Sequence, residues 1–292
     1  MTLFDLIGHT PLVEIKKINP FKKIKIYAKL EGQNPAGSVK DRAAYFMIKN
    51  ALDRGDIQPG DQLVEATSGN TGIALAMIAQ AMDVKMTLIM PDNSTAERVK
   101  AMEAYGAKVV LTPEAKTIEY SRELAEDMAT TQGYFMLNQF ANPDNYLAHY
   151  TTTGPEIWQD TQAQVTHFVS AMGTTGTIMG VSRYLKEQNP GVQIVGTQPA
   201  AGSNIPGIRR WSPEFLPKIY EKERVDRLLD ISEAEATAMA RRLAKEEGIL
   251  AGMSSGGALH ASLQVAQELA EGVIVFIVCD RGDRYLSTDL FG

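Results

Sequence analysis

The chain is short of the residues that would tie it to an oxidising compartment, a membrane or a nucleic acid. Its 292 residues include one cysteine, Cys279, so no intrachain disulfide can form, which fits a reducing compartment. Excess positive charge is missing too. Lys and Arg number 29 against 35 Asp and Glu, and the net charge of −6 argues against non-specific binding to nucleic acid or an anionic membrane surface. The longest apolar runs, such as residues 273–279, fall far short of a membrane span. Residues 1–5 lack the basic and apolar regions of a signal peptide, so a cytoplasmic location is expected. The four histidines, His9, His149, His167 and His260, have no metal-ligand spacing, and no metal site is expected. Repeats, charge runs and low-complexity segments are also absent from the sequence.

What is present is an ordinary globular composition, 44% hydrophobic and 22% charged, in a chain long enough for one large domain or two smaller ones. Strand and helix signals alternate along it. Residues 7–13 read as a turn leading into a strand, residues 24–31 as a strand and residues 39–54 as a helix. Strands are expected at 62–66, 85–90, 108–112 and 134–139, with helices at 71–82, 95–105 and 117–131 between them. Gly106 suits the C-cap of the helix before it. After a linking stretch, 142–161, the rhythm resumes: strand 166–172, helix 177–188, strand 193–198. An irregular insert follows at 200–225, then helices 233–247 and 256–271 and a last strand, 272–278. This is the βαβ rhythm of parallel, doubly wound sheets, with a cleft expected at the carboxyl ends of the strands.

Three loops share one design, in which small and hydroxyl residues open a helix. They are Thr67-Ser68-Gly69-Asn70-Thr71-Gly72, Gly173-Thr174-Thr175-Gly176-Thr177 and Gly252-Met253-Ser254-Ser255-Gly256-Gly257. Glycines let backbone N–H groups approach a ligand, the helix N-terminus adds a positive field, and hydroxyls donate further bonds. Three such loops favour an anionic ligand. Nucleotide fingerprints are missing: there is no G-x-x-x-x-G-K-[ST], and residues 173–180 lack the G-x-G-x-x-G spacing. Lys40 lies in Asn34-Pro35-Ala36-Gly37-Ser38-Val39-Lys40-Asp41-Arg42, with Ser38 as a plausible N-cap. It therefore sits in a first helical turn, where the macrodipole disfavours a cation and favours the neutral, nucleophilic amine.

Taken in order, the Lys40 segment and these loops make the chain resemble the fold-type II pyridoxal-phosphate enzymes, and within them the cysteine synthases (O-acetylserine sulfhydrylases). The likeness runs from Ile7-Gly8-His9-Thr10-Pro11 to Asp283-Arg284-Tyr285-Leu286. It implies two three-layer α/β/α domains with mostly parallel twisted sheets (tryptophan synthase β-like) and an active site between them. The large, cofactor-binding domain would comprise residues 1–37 and 142–292, and the small, mobile, substrate-binding domain residues 38–141. It implies pyridoxal 5'-phosphate as cofactor, carried by Lys40, which also serves as the base for the substrate α-proton. Asn70 would meet the cofactor's 3' oxygen, Gly173, Thr174, Thr175, Gly176 and Thr177 its phosphate, and Ser254 its ring nitrogen. A serine there, unlike an aspartate, does not hold that nitrogen protonated, which weakens the electron sink and favours β-elimination. Thr67, Ser68, Thr71 and Gln139 would clamp the substrate α-carboxylate.

The reaction so implied replaces the acetate of O-acetyl-L-serine by sulfide, through an α-aminoacrylate and with ping-pong kinetics. Pro206-Gly207-Ile208-Arg209-Arg210-Trp211 and Cys279-Asp280-Arg281-Gly282-Asp283-Arg284 resemble the B form of the family, which accepts larger donors; thiosulfate, giving S-sulfocysteine, is then expected beside sulfide. Arg209, Arg210, Cys279 and Asp280 are the donor-side candidates, with either arginine suited to a dianion. A homodimer is implied, with small-molecule substrates and no nucleic-acid or membrane partner. A dehydratase or cystathionine-forming relative, a catalytically silent relative and a nucleotide-binding protein are the competing readings. The wording of residues 67–71 and the presence of Lys40 speak against the first two.

Overall fold

The computed structural model describes residues 1–67 and 69–292. Two sheets organise it. The first contains β1 (Leu12–Glu14) and β2 (Ile24–Leu30) near the N-terminus; α1 (Lys40–Arg54) then leads into the second sheet. There β3 (Gln62–Ala66), α2 (Asn70–Ala81), β4 (Lys85–Pro91), α3 (Ala96–Ala104), β5 (Lys108–Thr112), α4 (Thr117–Thr131) and β6 (Phe135–Met136) alternate strand and helix. The chain returns through α5 (Pro143–Ala148) and α6 (Gly154–Asp160) to β7 (His167–Ala171), α7 (Gly176–Gln188), β8 (Gln193–Pro199) and β9 (Arg227–Ile231). Helices α8 (Glu233–Arg242) and α9 (Met253–Gln267) precede β10 (Gly272–Val278).

The first sheet has the order β1-β2-β10-β7-β8-β9, parallel except for the antiparallel β1–β2 pair; the second is all parallel, in the order β5-β4-β3-β6. The sequence explains why. Parallel strands covered on both faces read as apolar runs rather than alternations. The Gly272–Val278 run, GVIVFIV, and the buried Met86–Pro91 stretch of β4 both do so. Helix α2 is apolar almost all round and buried from Thr71 to Ala79, packed between its sheet and α1. Gly106 takes the left-handed conformation (φ 85°) that ends α3.

Four expectations need correction. The linking stretch 142–161 is helical: Asn142 caps α5 by accepting from the Asp144 N–H (2.9 Å), Pro143 sits in the first turn, and a π-helical turn, His149–Thr153, joins α5 to α6. That wide turn falls just before Gly154-Pro155, where the ladder lacks the proline N–H. Strand β9 lies outside the expected strands, because Arg227–Ile231 is a five-residue edge strand carrying two charges, Arg227 and Asp230. The expected strand 134–139 shrinks to Phe135–Met136, because Asn138 turns to φ 54°. The glycine-serine loop 252–257 lies within the first turns of α9, which begins at Met253, and only an isolated bridge, Ala251 to Arg281, precedes it.

Candidate active site

Lys40 is the first residue of α1, whose apolar face (Ala43, Ala44, Met47, Ile48) packs in the core of the second sheet. Ser38 stands one residue before the N-cap position of this helix. The N-cap position is Val39, and its N–H donates to the Cys279 carbonyl at 2.8 Å, while Ser38 bridges Asp280. The residue just past β10 thus holds the helix that carries the lysine. Ser38 Oγ accepts from the Lys40 backbone N–H at 3.2 Å. Asp41 does not offset the lysine charge: it is buried, accepts from the Ala36 N–H, and burial pushes its carboxyl up to about 7. Burial likewise lowers the Lys40 amine below the usual lysine range, with Cys279 and Asp280 opposing that shift. A lowered pKa increases the neutral form that acts as nucleophile or base.

One turn further on, Arg42 is fully buried among Glu31 (2.7 Å), Glu156 (2.6 Å) and Thr10, and Lys29 closes the network on Glu156 at 2.8 Å. These charges pin α1 to α6 and to the end of β2. They hold the Glu156 carboxyl down at about 2, against burial that would raise it.

Lys40 opens into a cleft of about 1030 Å³ where the carboxyl ends of both sheets meet. Thr67, Asn70, Thr71 and Gln139 line it from the second sheet; Gly173, Thr174, Thr177, Ser254, Cys279 and Asp280 line it from the first. Ser68 lies outside the described residues. Five Lys and Arg side chains and three carboxylates line the cleft, so an acidic chain carries a locally cationic site.

The loop after β7 is built for an anion. Thr175 adopts φ 71° at the N-cap of α7, a conformation that costs a β-branched residue energy and is retained by surrounding packing. Its Oγ1 is buried without a partner among the described residues. A Cβ on Gly173 would stand 2.6 Å from the Gly207 carbonyl oxygen, so only glycine lets the 200–225 insert close over this loop. Trp211 Nε1 donates to the Gly173 carbonyl (2.8 Å), and the Arg209 N–H to that of Met172 (2.9 Å). Asn145 donates to Thr174 Oγ1 (3.1 Å) and to the Gln139 carbonyl (2.7 Å), tying the loops of the two sheets together. His149, held neutral by burial at about 3, lies 3.3 Å from Thr177 Oγ1. A phosphate group fits a helix N-terminus lined by threonine hydroxyls, one of them unpartnered.

On the opposite wall Thr71 Oγ1 donates to Gln139 Oε1 at 3.0 Å, which brings two of the four expected carboxylate-clamp residues together, with Thr67 beside them. Asn70 is more engaged than expected. Its Nδ2 donates to Asp280 Oδ2 (2.7 Å) and its Oδ1 accepts from Arg284, so one Nδ2 hydrogen is left for a ligand. Asp280 is buried; Oδ2 also accepts from the Tyr285 hydroxyl at 2.6 Å, whereas Oδ1 has no partner among the described residues. Ser254, in the first turn of α9, shares the floor with Cys279.

The donor-side candidates separate. Arg210 reaches only the rim, its guanidinium engaged by the Pro199 carbonyl (3.0 Å) and by Asp230. Arg209 stacks over the Trp211 ring, 5.6 Å from its centroid; Trp211 meets Phe140 edge-on at 5.6 Å, and Arg122 lies 4.9 Å over Phe140. Desolvation of the half-buried Cys279 and the Asp280 charge push its thiol up to about 12. Iodoacetamide at pH 8 is therefore expected to label Cys279 far more slowly than a free thiol, and Cys279→Ser to keep sulfide turnover within about threefold of wild type. Rapid labelling, with a titration near the ordinary value of 9, would show a thiolate instead.

Sequence reasoning gave no role to Arg98 and Arg122, which line the cleft, to Asn145, or to Arg284 and Tyr285, which hold Asn70 and Asp280. The Asn-Pro pair at 142–143 is a helix-start signal that places Asn145 on α5; Arg284 and Tyr285 lie in a motif of the resemblance, and nothing local marks the two cleft arginines.

A family model described as pyridoxal-phosphate dependent enzyme matches residues 3–280. The chain is 59% identical over 290 residues to cysteine synthase B of Pseudomonas aeruginosa, covering 99% of this chain and 97% of that protein. It is 56% identical over 291 residues to cysteine synthase B of Escherichia coli, covering 100% and 96%. Among solved structures, a cysteine synthase from Entamoeba histolytica superposes with a TM-score of 0.94 at 39% identity, covering 99% of this chain and 90% of that one. An O-ureido-L-serine synthase superposes with a TM-score of 0.93 at 38% identity, covering 99% and 94%.

Proposed function

This chain belongs to the pyridoxal-phosphate dependent enzymes, among the cysteine synthases of the B form, and we propose that it replaces the acetate of O-acetyl-L-serine by sulfide to make L-cysteine. The single observation that carries this reading is a half-buried lysine of lowered pKa opposite an anion-shaped helix N-terminus in one cleft. Bound pyridoxal phosphate supplies the electron sink for removing the α-proton and expelling the β-substituent. Residues 173–177 hold its phosphate, Asn70 its 3' oxygen and Ser254 its ring nitrogen. Lys40 Nζ carries the cofactor and then takes the α-proton, for which the desolvated amine is suited. Thr67, Ser68, Thr71 and Gln139 orient the substrate carboxylate; the Thr71–Gln139 bond supports that grouping.

The proposal includes two domains, residues 1–37 with 142–292 and the mobile residues 38–141, and each sheet's strands fall within one of them. It includes a homodimer, on the family likeness alone, and a cytoplasmic location, supported by the single cysteine. No helix among the described residues is long and apolar enough to cross a membrane.

Thiosulfate is a second donor in this proposal, bound by Arg209. Purified holoprotein with O-acetylserine should form cysteine from sulfide and S-sulfocysteine from thiosulfate; absence of both products would remove the reading. Arg209→Ala should raise the KM for thiosulfate about tenfold, the scale of one charge-assisted hydrogen bond, and leave sulfide turnover within about twofold. Arg210→Ala, already paired with Asp230, should change neither. The opposite pattern would move the donor contact to Arg210.

A further inference from the structure

Glu65, on β3, is a buried carboxylate two residues before Thr67, and its hydrogen bonds go to backbone rather than to a cation. Strand β6 pairs with β3 for two residues only, Phe135 with Leu63 and Met136 with Val64. Beyond them the chain leaves the sheet through Asn138 at φ 54°, so the backbone ladder offers no acceptor to the next N–H groups. The Glu65 side chain supplies it: Oε2 accepts from the Asn138 N–H at 2.9 Å and Oε1 from the Gln139 N–H at 3.3 Å. Gln139 in turn holds Thr71 Oγ1 at 3.0 Å, and its carbonyl accepts from Asn145, which also holds Thr174.

A buried acid without an ion-pair partner is expensive to keep. Burial pushes Glu65 up to about 7, with the two backbone N–H bonds and the Arg122 charge pulling the other way. What offsets that cost is what its two oxygens hold: one carboxyl group fixes two consecutive N–H groups of an irregular turn.

We propose that Glu65 is a positioning residue for the substrate: by gripping the backbone of Asn138 and Gln139 it aims the Gln139 side chain at the α-carboxylate. The inference rests on the clamp reading above, in which Gln139 touches that carboxylate. Glu65 itself touches no substrate. It acts through the turn, extending β3–β6 pairing with a side chain where the strand ends.

The test uses the holoprotein and two ligands without a leaving group, L-alanine and L-alaninamide, which differ only at the carboxylate. Their dissociation constants are read from the visible absorption of the bound cofactor. Glu65→Gln, of the same shape, is expected to weaken L-alanine about tenfold, the scale of one hydrogen bond to a charged group, and L-alaninamide less than about twofold. Glu65→Asp, which keeps the charge but withdraws the oxygens by one methylene, is expected to do the same and serves if Glu65→Gln fails to fold. Gln139→Ala should show the same selective loss. Selective loss in Gln139→Ala with none in either Glu65 variant, or an equal loss of both ligands, overturns the positioning role. No selective loss in Gln139→Ala overturns the clamp and the route through it.

Discussion

Lys40→Ala should lower turnover by about 10²–10⁴-fold, the scale on which a positioned proton-transfer group contributes, and should leave the protein without covalently attached cofactor. The folded state should not suffer. A lysine in the first turn of a helix meets the positive end of the macrodipole, and burial already disfavours its charged form. Removing it takes away a destabilising element, so the thermal midpoint of the cofactor-free protein should stay level or rise, as when a function-selected residue is replaced. Visible absorption, mass analysis after borohydride reduction, and a thermal scan check the three parts. Retained steady-state activity would refute the assignment of Lys40.

The second large effect lies behind the lysine. Arg42→Leu should cost about 3–5 kcal/mol of stability, because removing one partner of a buried ion network leaves the others uncompensated. Glu31 and Glu156 would be stranded beside β2 and α6, with Lys29 the one cation left paired to Glu156 among the described residues. The effect has a pH signature. In wild type, against burial that raises it, the Arg42 and Lys29 charges hold the Glu156 carboxyl down at about 2, below the ordinary carboxylate value of 4.5. Its stabilising contribution is therefore fully present above about 4.5 and is lost as pH falls toward 2. Chemical unfolding at pH 7 and again at pH 3.5 should show the gap between wild type and Arg42→Leu narrowing in acid. A gap that stays constant or widens would mean that volume, not charge, holds α1 in place.

Much of this was legible in the sequence, for local reasons. The 3.6-residue and strand periods of 62–131 place β3 to α4 to within one residue, because strands β4 and β5 end at prolines and α2 and α3 stop at Asp83 and Gly106. The glycine-hydroxyl stretches proposed to hold an anion could be read from composition, since backbone approach demands glycine and a cap demands a hydroxyl or carbonyl. What the sequence does not show depends on distant partners. Arg42 looks like an exposed helix residue until Glu31 and Glu156 are brought beside it. Asn70 looks free until Asp280 and Arg284, more than two hundred residues away, take its amide. Residues 142–161 read as a linker because Gly154-Pro155 looks like a break, yet a π turn absorbs the missing N–H and the helix continues. Arg209 and Arg210 are neighbours with the same chemistry, and only the fold sends one to Trp211 and the other to Asp230.

The most direct test is to mix purified holoprotein with O-acetyl-L-serine in the absence of any sulfur donor and measure the acetate released. A lysine that takes the α-proton, with a separate site for the incoming donor, should release one equivalent of acetate per active site and then stop. Adding sulfide should restart turnover with cysteine as product. Acetate released continuously without a donor, with pyruvate accumulating, would contradict this and make the protein an eliminating enzyme; no acetate until sulfide is added would contradict the two-step order.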